Sequence, residues 1–223
     1  VLIHTLAADS IYELRVRVRD ERRGDVWSAW SESVEVKTLA AGFLGCSLLL
    51  PAHSKQLMEW IGLPDARWRL IYRGSRDGFT AAKFHELCDG KGTTVVLARS
   101  TNRNLFGGYT PLDWGTRGYA VDRTGRSFLF SLVNETGKPT WLSNKSGNGA
   151  HLNAIYGHPS YGPAFGNGHD LCLMQNGTKT CSSTLGSSFV EPASLPPGSD
   201  AAKYFLAGSQ IFDVTEIEVF ARA

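Results

Sequence analysis

The stretch RSTNRNLFGGYTPLDW, Arg99 to Trp114, combines two arginines, several amides and the adjacent glycines Gly107 and Gly108. Such a loop can cradle a phosphate on backbone N–H groups, or it can simply turn the chain. Phosphate loops obey stricter spacing than this. In DGKGTT, Asp89 to Thr94, Lys91 is followed by Gly92, and no glycine lies five before Gly90, so the GxxxxGK[ST] arrangement fails. FGGYT lacks GxGxxG and the strand-to-helix setting of a dinucleotide loop. Its glycines are expected to permit a bulge or close packing between strands.

Other reactive side chains are equally short of a complete set. GHPSYG, Gly157 to Gly162, has Pro159 before Ser160 and no glycine two back, so it is not a nucleophile elbow. His151, His158, His169 and Asp170 are of metal-ligating type, but their spacings match no helical or ribbon ligand set. Cys46, Cys88, Cys172 and Cys181 form no CxxC pair. Reduced thiols are the simplest reading. A hairpin-spanning Cys172–Cys181 disulfide stays open, because Asn176 and Gly177 between them suit a turn. In YRGSRDGF, Asp77 next to Arg76 is either an ion-pair partner or a turn-capping carboxylate. No cofactor and no metal site is implied.

The elements that must position these residues are mostly strands. IYELRVRVRD alternates Tyr12, Leu14, Val16 and Val18 with charged residues, the period of a half-buried strand, and SVEVKT follows as its hairpin partner. Ser54–Gly62 reads as a helix with Ser54 as N-cap and Gly62 as stop, burying Leu57, Met58 and Ile61. WRLIYRG reads as a buried strand. Thr80–Gly90 reads as a capped helix whose Ala81, Phe84, Leu87 and Cys88 form one apolar stripe. Short β runs separated by Gly, Pro, Asn and Asp follow, ending in FDVTEIEVF. The expected fold is α+β and mainly β: a two-sheet antiparallel sandwich flanked by short helices, with an N-terminal hairpin. In the closing strand, alternation sends Ile217 and Val219 to the core and Glu216 and Glu218 to the opposite face, expected to meet solvent and a basic partner.

Twenty-three Lys and Arg against 21 Asp and Glu give a formal charge of +2, too balanced for a dedicated nucleic-acid binder. The most apolar run, Leu39 to Pro51, is glycine-interrupted and shorter than a membrane span, so stable membrane insertion is not expected. Sequons at Asn134, Asn144 and Asn176 matter only in a secreted protein. The chain opens at Val1 without Met or a signal peptide, as an excised fragment does.

Two resemblances organise these observations. Residues 1–38 resemble the last two strands of a fibronectin type III domain: Leu6 stands six before Tyr12, as in that family's tyrosine corner, and WSAWS, Trp27 to Ser31, is similar to the WSxWS box of its cytokine-receptor branch. In that branch the tryptophans interleave with arginines, and Arg15, Arg17 and Arg19 share one face at suitable spacing. After a linker at 39–42, residues 43–223 resemble a TLDc domain through SRDGF, CDG, GGYT, FGNGHDL and EIEVF, in that order. The TLDc resemblance implies a helix-flanked β sandwich, an association with oxidative-stress protection, binding to subunits of the vacuolar proton-pumping ATPase, and a cytoplasmic setting. The fibronectin-like end and the sequons imply an extracellular one. By carry-over, the candidate partner-binding or signature residues are Asp77, Gly78, Gly107, Gly108, Glu216 and Glu218. The leading expectation is a non-enzymatic interaction module; the rivals are an enzyme or direct thiol scavenger of peroxide, and an extracellular recognition protein.

Overall fold

The structure is a computed structural model that describes residues 11–17, 19–20, 26–37, 41–145, 153–175 and 180–223. The Leu6–Tyr12 spacing, His151, and the Asn176 sequon with its turn lie outside the described residues, as do residues 39 and 40 of the 39–42 linker.

The N-terminal hairpin is broken into two short ladders. β1 (Ile11–Leu14) pairs with β4 (Val34–Lys37), and β2 (Arg19–Asp20) pairs with β3 (Val26–Trp27), all antiparallel. The single long strand expected from the alternation is therefore interrupted at residues 15–17. There Val16 and Ser31 take over the pairing, the Ser31 N–H donating to the Val16 carbonyl at 2.8 Å and Ser31 Oγ accepting from the Val16 N–H at 2.9 Å.

From Ala41 onward the chain runs β5 (Gly42–Leu44), α1 (Pro51–Ile61), β6 (Arg67–Arg73), α2 (Gly74–Asp77), α3 (Ala81–Cys88), β7 (Thr94–Ser100) and β8 (Leu105–Thr110). It continues through β9 (Tyr119–Val121), β10 (Phe128–Val133), β11 (Thr140–Ser143), β12 (Asn153–Tyr156), β13 (Ala164–Phe165) and β14 (Leu171–Cys172). β15 (Cys181–Ser183), α4 (Asp200–Tyr204), β16 (Ile211–Phe212) and β17 (Val214–Arg222) complete it. A seven-stranded sheet has the order β11-β10-β8-β7-β17-β6-β5, and a six-stranded sheet the order β16-β15-β14-β13-β12-β9. Pairings are antiparallel except β5 with β6. This is the helix-flanked two-sheet sandwich the sequence implies.

The seven-stranded sheet is covered on both faces. Val96, Ala98, Phe106, Ile217 and Val219 pack into the layer between the sheets, with α3 closing one end through Phe84 and Cys88. Val95, Leu97, Phe130 and Phe220 point the other way, onto Leu57, Met58 and Ile61 of α1. Burial on both faces explains the unbroken apolar run VVLA, Val95 to Ala98, since neither side of that strand needs to be polar. α1 starts at Pro51, three residues before the expected Ser54 cap. Proline suits the first helical position because its missing N–H would have had no intrahelical partner there. It stops as expected at Gly62, in the left-handed conformation at φ 73°. α3 is capped by Thr80 Oγ1 accepting from the Lys83 N–H, and Ala81, Phe84 and Cys88 are buried with Leu87 packed against the same core.

Gly107 and Gly108 sit within β8, the first on the α1 face and the second on the inter-sheet face. A Cβ on Gly107 would collide with the Val96 carbonyl oxygen, and one on Gly108 with the ring of Phe165. The pair is there for close approach, as the sequence suggested.

All four cysteines are thiols. Cys172 lies opposite Ser182 in the β14–β15 ladder, so Cys181 is one residue out of register and points to the other face. Cys181 joins the inter-sheet core, and the hairpin-spanning disulfide left open above is not formed.

Candidate functional site

β17 is an interior strand of its sheet, flanked by β7 on one side and β6 on the other. That placement brings the closing EIEVF segment against the SRDGF turn, which follows directly from β6. α2 is the turn itself. Its N-terminus receives Glu216, whose Oε1 accepts from the Ser75 N–H at 3.0 Å and whose Oε2 accepts from Ser75 Oγ at 2.5 Å. A carboxylate there satisfies a first-turn N–H and meets the positive end of the peptide dipoles. Asp77 folds back so that Oδ2 accepts from the Arg73 N–H at 2.8 Å, while Arg76 donates to both its oxygens. Asp77 is thus both the ion-pair partner and the turn-capping carboxylate. The Arg76 hydrogen bond is the main reason its carboxyl titrates below the usual range. Gly78, at φ 97°, occupies a conformation that side chains disfavour, and its carbonyl accepts from the Tyr72 hydroxyl at 2.8 Å.

Glu218 departs from expectation. Alternation does set it opposite Ile217 and Val219, but that face is covered by the segment linking β5 to α1, and Glu218 is fully buried. The expected solvent-facing pair of carboxylates therefore does not exist. Arg73 donates to Oε1 through Nε at 2.9 Å and Nη2 at 2.6 Å. Ser47 donates its N–H at 3.0 Å and its hydroxyl at 2.8 Å to the same oxygen, and Cys46 Sγ lies 3.0 Å from Oε2. Arg73 Nη2 also reaches the Gly45 carbonyl, tying the β5–α1 segment to the sheet. A buried carboxylate needs such saturation, because a charge removed from water without partners costs several kcal/mol. Sequence reasoning missed Arg73, Ser47 and Cys46. The available signal was a glutamate inside an apolar strand together with an arginine ending the preceding buried strand.

FGNGHDL makes a second internal latch. Asp170 is buried and accepts from the amides of Gly186, Ser187, Ser188 and Phe189, at 2.8 to 3.2 Å. A side chain on Gly166 would run into that carboxylate. His169 does not join Asp170 at a metal site, and among the described residues no group of three or more His, Cys, Asp and Glu is placed to hold an ion. The DGKG loop is also internally committed: the Gly92 N–H donates to Asp113 Oδ2 at 3.1 Å.

Burial is the main cause that raises every thiol. Cys46 is pushed up to about 12, with Glu218 adding to the effect, Cys172 to about 12 and Cys181 to about 11; Cys88 is raised further. At neutral pH these groups hold little thiolate, the reactive form.

In the N-terminal hairpin the Arg17 guanidinium lies 4.5 Å from the ring centroids of both Trp27 and Trp30, a cation–π sandwich on the two tryptophans of the WSAWS segment. Of the sequons, Asn134 is buried and donates Nδ2 to Ser131 Oγ and the Lys138 carbonyl, and Asn144 Nδ2 donates to the Ser188 carbonyl.

Residues 45–222 match the TLDc domain, most of the chain, and the chain belongs to the TLDc family. Among curated proteins it is similar to TBC1 domain family member 24 of Xenopus tropicalis, 27% identical over 93 residues. It is likewise similar to the Xenopus laevis protein of that name, 26% identical over 78 residues. These matches cover 40% and 33% of this chain but only 16% and 14% of the relatives.

Proposed function

We propose that this TLDc domain is a non-enzymatic protein-interaction module that acts on the peripheral sector of the vacuolar proton-pumping ATPase and thereby in oxidative-stress resistance. The observation that carries the non-catalytic part is the commitment of the signature carboxylates. Asp77, Glu216, Glu218 and Asp170 each direct both oxygens, or all their neighbouring donors, into holding one element against another. Groups so saturated build a rigid surface more readily than they exchange protons with a substrate. The raised thiols speak against direct peroxide scavenging.

In this reading the partner meets the exposed side of α2, where Arg76 is half exposed and Ser75 lies at the surface, while Glu216 holds that turn from beneath. Gly107 and Gly108 are interior and serve the framework. Purified chain is titrated against the purified peripheral sector, comparing wild type with Arg76→Glu. A tenfold or greater loss of affinity, in a variant whose unfolding midpoint stays close to wild type, supports this surface; unchanged affinity rejects it.

A second reading draws on the Arg17–Trp27–Trp30 sandwich. It supports a fibronectin-like end with a WSxWS box, and with it an extracellular recognition role. The sequons weigh against that role, since glycosylating Asn134 or Asn144 would disrupt Nδ2 hydrogen bonds that the fold uses. Expression through a secretory host followed by glycosidase treatment decides: a mobility shift that Asn134→Gln abolishes favours the extracellular reading.

A further inference from the structure

The two arginines of the RSTNRN stretch, Arg99 and Arg103, do not serve GGYT, and they are not idle side chains on a flat surface. A cleft of about 510 Å³ opens between the segment leading into α1, which contributes Leu50 and His53, and the β7–β8 turn with its flanking strands, which contribute Arg99, Arg103 and Leu105, with Val133 of β10 also lining it. No residue lining it is acidic. Neither arginine is in a salt bridge among the described residues. Among the described residues Arg99 makes one side-chain hydrogen bond, from Nη2 to the Leu48 carbonyl at 3.1 Å. Its cross-strand neighbour is Glu216, but that carboxylate is turned to Ser75. Arg103 holds a positive φ of 67°, a conformation that a residue with a long side chain seldom adopts, at the tip of the turn. The Nδ1 atom of His53 is enclosed and has no hydrogen-bond partner among the described residues. Leu50, as N-cap of α1, offers no side-chain acceptor to the helix's first turn, so that end adds to the positive potential.

We propose that this cleft binds a phosphomonoester that carries an apolar substituent. Two guanidinium forks without counter-charges match a dianionic phosphate better than a single carboxylate, because a phosphomonoester at neutral pH carries close to two negative charges and three acceptor oxygens. Leu50 and Val133, which line the cleft and are 62% and 39% exposed, accept the apolar part of the ligand. The volume is that of an ordinary small-molecule site. This ligand chemistry is found both in a soluble phosphate ester and in a lipid headgroup.

The experiment measures the purified chain against inorganic phosphate, against hexyl phosphate, and by flotation with phosphatidylcholine vesicles with and without phosphatidic acid. Arg103→Asn is the main variant, since Asn tolerates a positive φ and the ligand-free unfolding midpoint should be preserved; Arg99→Gln is the second. Hexyl phosphate should bind at least tenfold tighter than inorganic phosphate and lose at least tenfold in Arg103→Asn. Flotation that depends on both phosphatidic acid and Arg103 assigns the source as a headgroup. Hexyl phosphate binding without flotation assigns a soluble ester. Absence of binding in every arm, or binding that Arg103→Asn and Arg99→Gln leave unchanged, overturns the proposal.

Discussion

Glu218 is held out of water by Arg73, Ser47 and Cys46, so its worth is measured by what its loss strands. Glu218→Ala leaves the Arg73 guanidinium against a buried vacancy and should cost about 3–5 kcal/mol in urea unfolding. Glu216→Ala removes a partly exposed cap from α2 and should cost about 0.5–2 kcal/mol. Equal costs for the two would contradict the geometry. Asp170 makes a pH-dependent prediction. Burial pushes its carboxyl up to about 6, against the pull of four amides, while an unfolded aspartate titrates near ~3.9. Between about pH 4 and 6 the folded chain binds the extra proton, so this group's contribution falls as pH rises through that window. Wild type should therefore lose stability relative to Asp170→Asn on going from pH 4 to 6, by about 2 kcal/mol. A difference between the two that stays flat with pH would show that the amides dominate.

At the level of elements, the hairpin and the sandwich are expected to be separable. Among the described residues neither hydrophobic core draws on any residue before Ala41, and two short ladders are marginal alone in water. Deleting residues 1–38 should leave cooperative thermal unfolding, with the midpoint within a few degrees of the full chain; loss of cooperativity would make the hairpin part of the fold. Periodicity made most of the other elements legible: Leu57, Met58 and Ile61 placed α1, and Thr80 with its apolar stripe placed α3. It failed where a local signal was outweighed. Ser54 looks like a cap, but Pro51 already suits the first turn, and the alternating arginines before Asp20 extend a strand pattern through residues that pair by single bonds at Val16 and Ser31. For the candidate site, alternation gave the correct side for Glu218 and the wrong surroundings. A period of two reports which face a residue occupies and carries no information about what lies over that face. The cover comes from residues 45–50, more than 160 positions away in sequence.

For the whole molecule, the layered arrangement hides its reactive sulfur. Cys88, Cys172 and Cys181 are fully buried and Cys46 is shielded by Glu218 and its surroundings. Thiol titration with a disulfide reagent at neutral pH should be slow in the folded chain, with Cys46 reacting first, and should reach four equivalents quickly in denaturant. Rapid modification of two or more thiols without unfolding would revive direct peroxide chemistry. The position of β17 has a consequence for biosynthesis. This interior strand of the larger sheet is made after both strands it joins, so until residues 214–222 have been synthesised β6 and β7 each present an open edge. A nascent chain in that state can collapse but cannot close its sheet, and its exposed edges invite pairing with another unfinished chain. A premature stop anywhere before Val214 would yield an aggregation-prone product rather than a slightly shortened domain, and timely release from the ribosome decides how much of the protein escapes that fate.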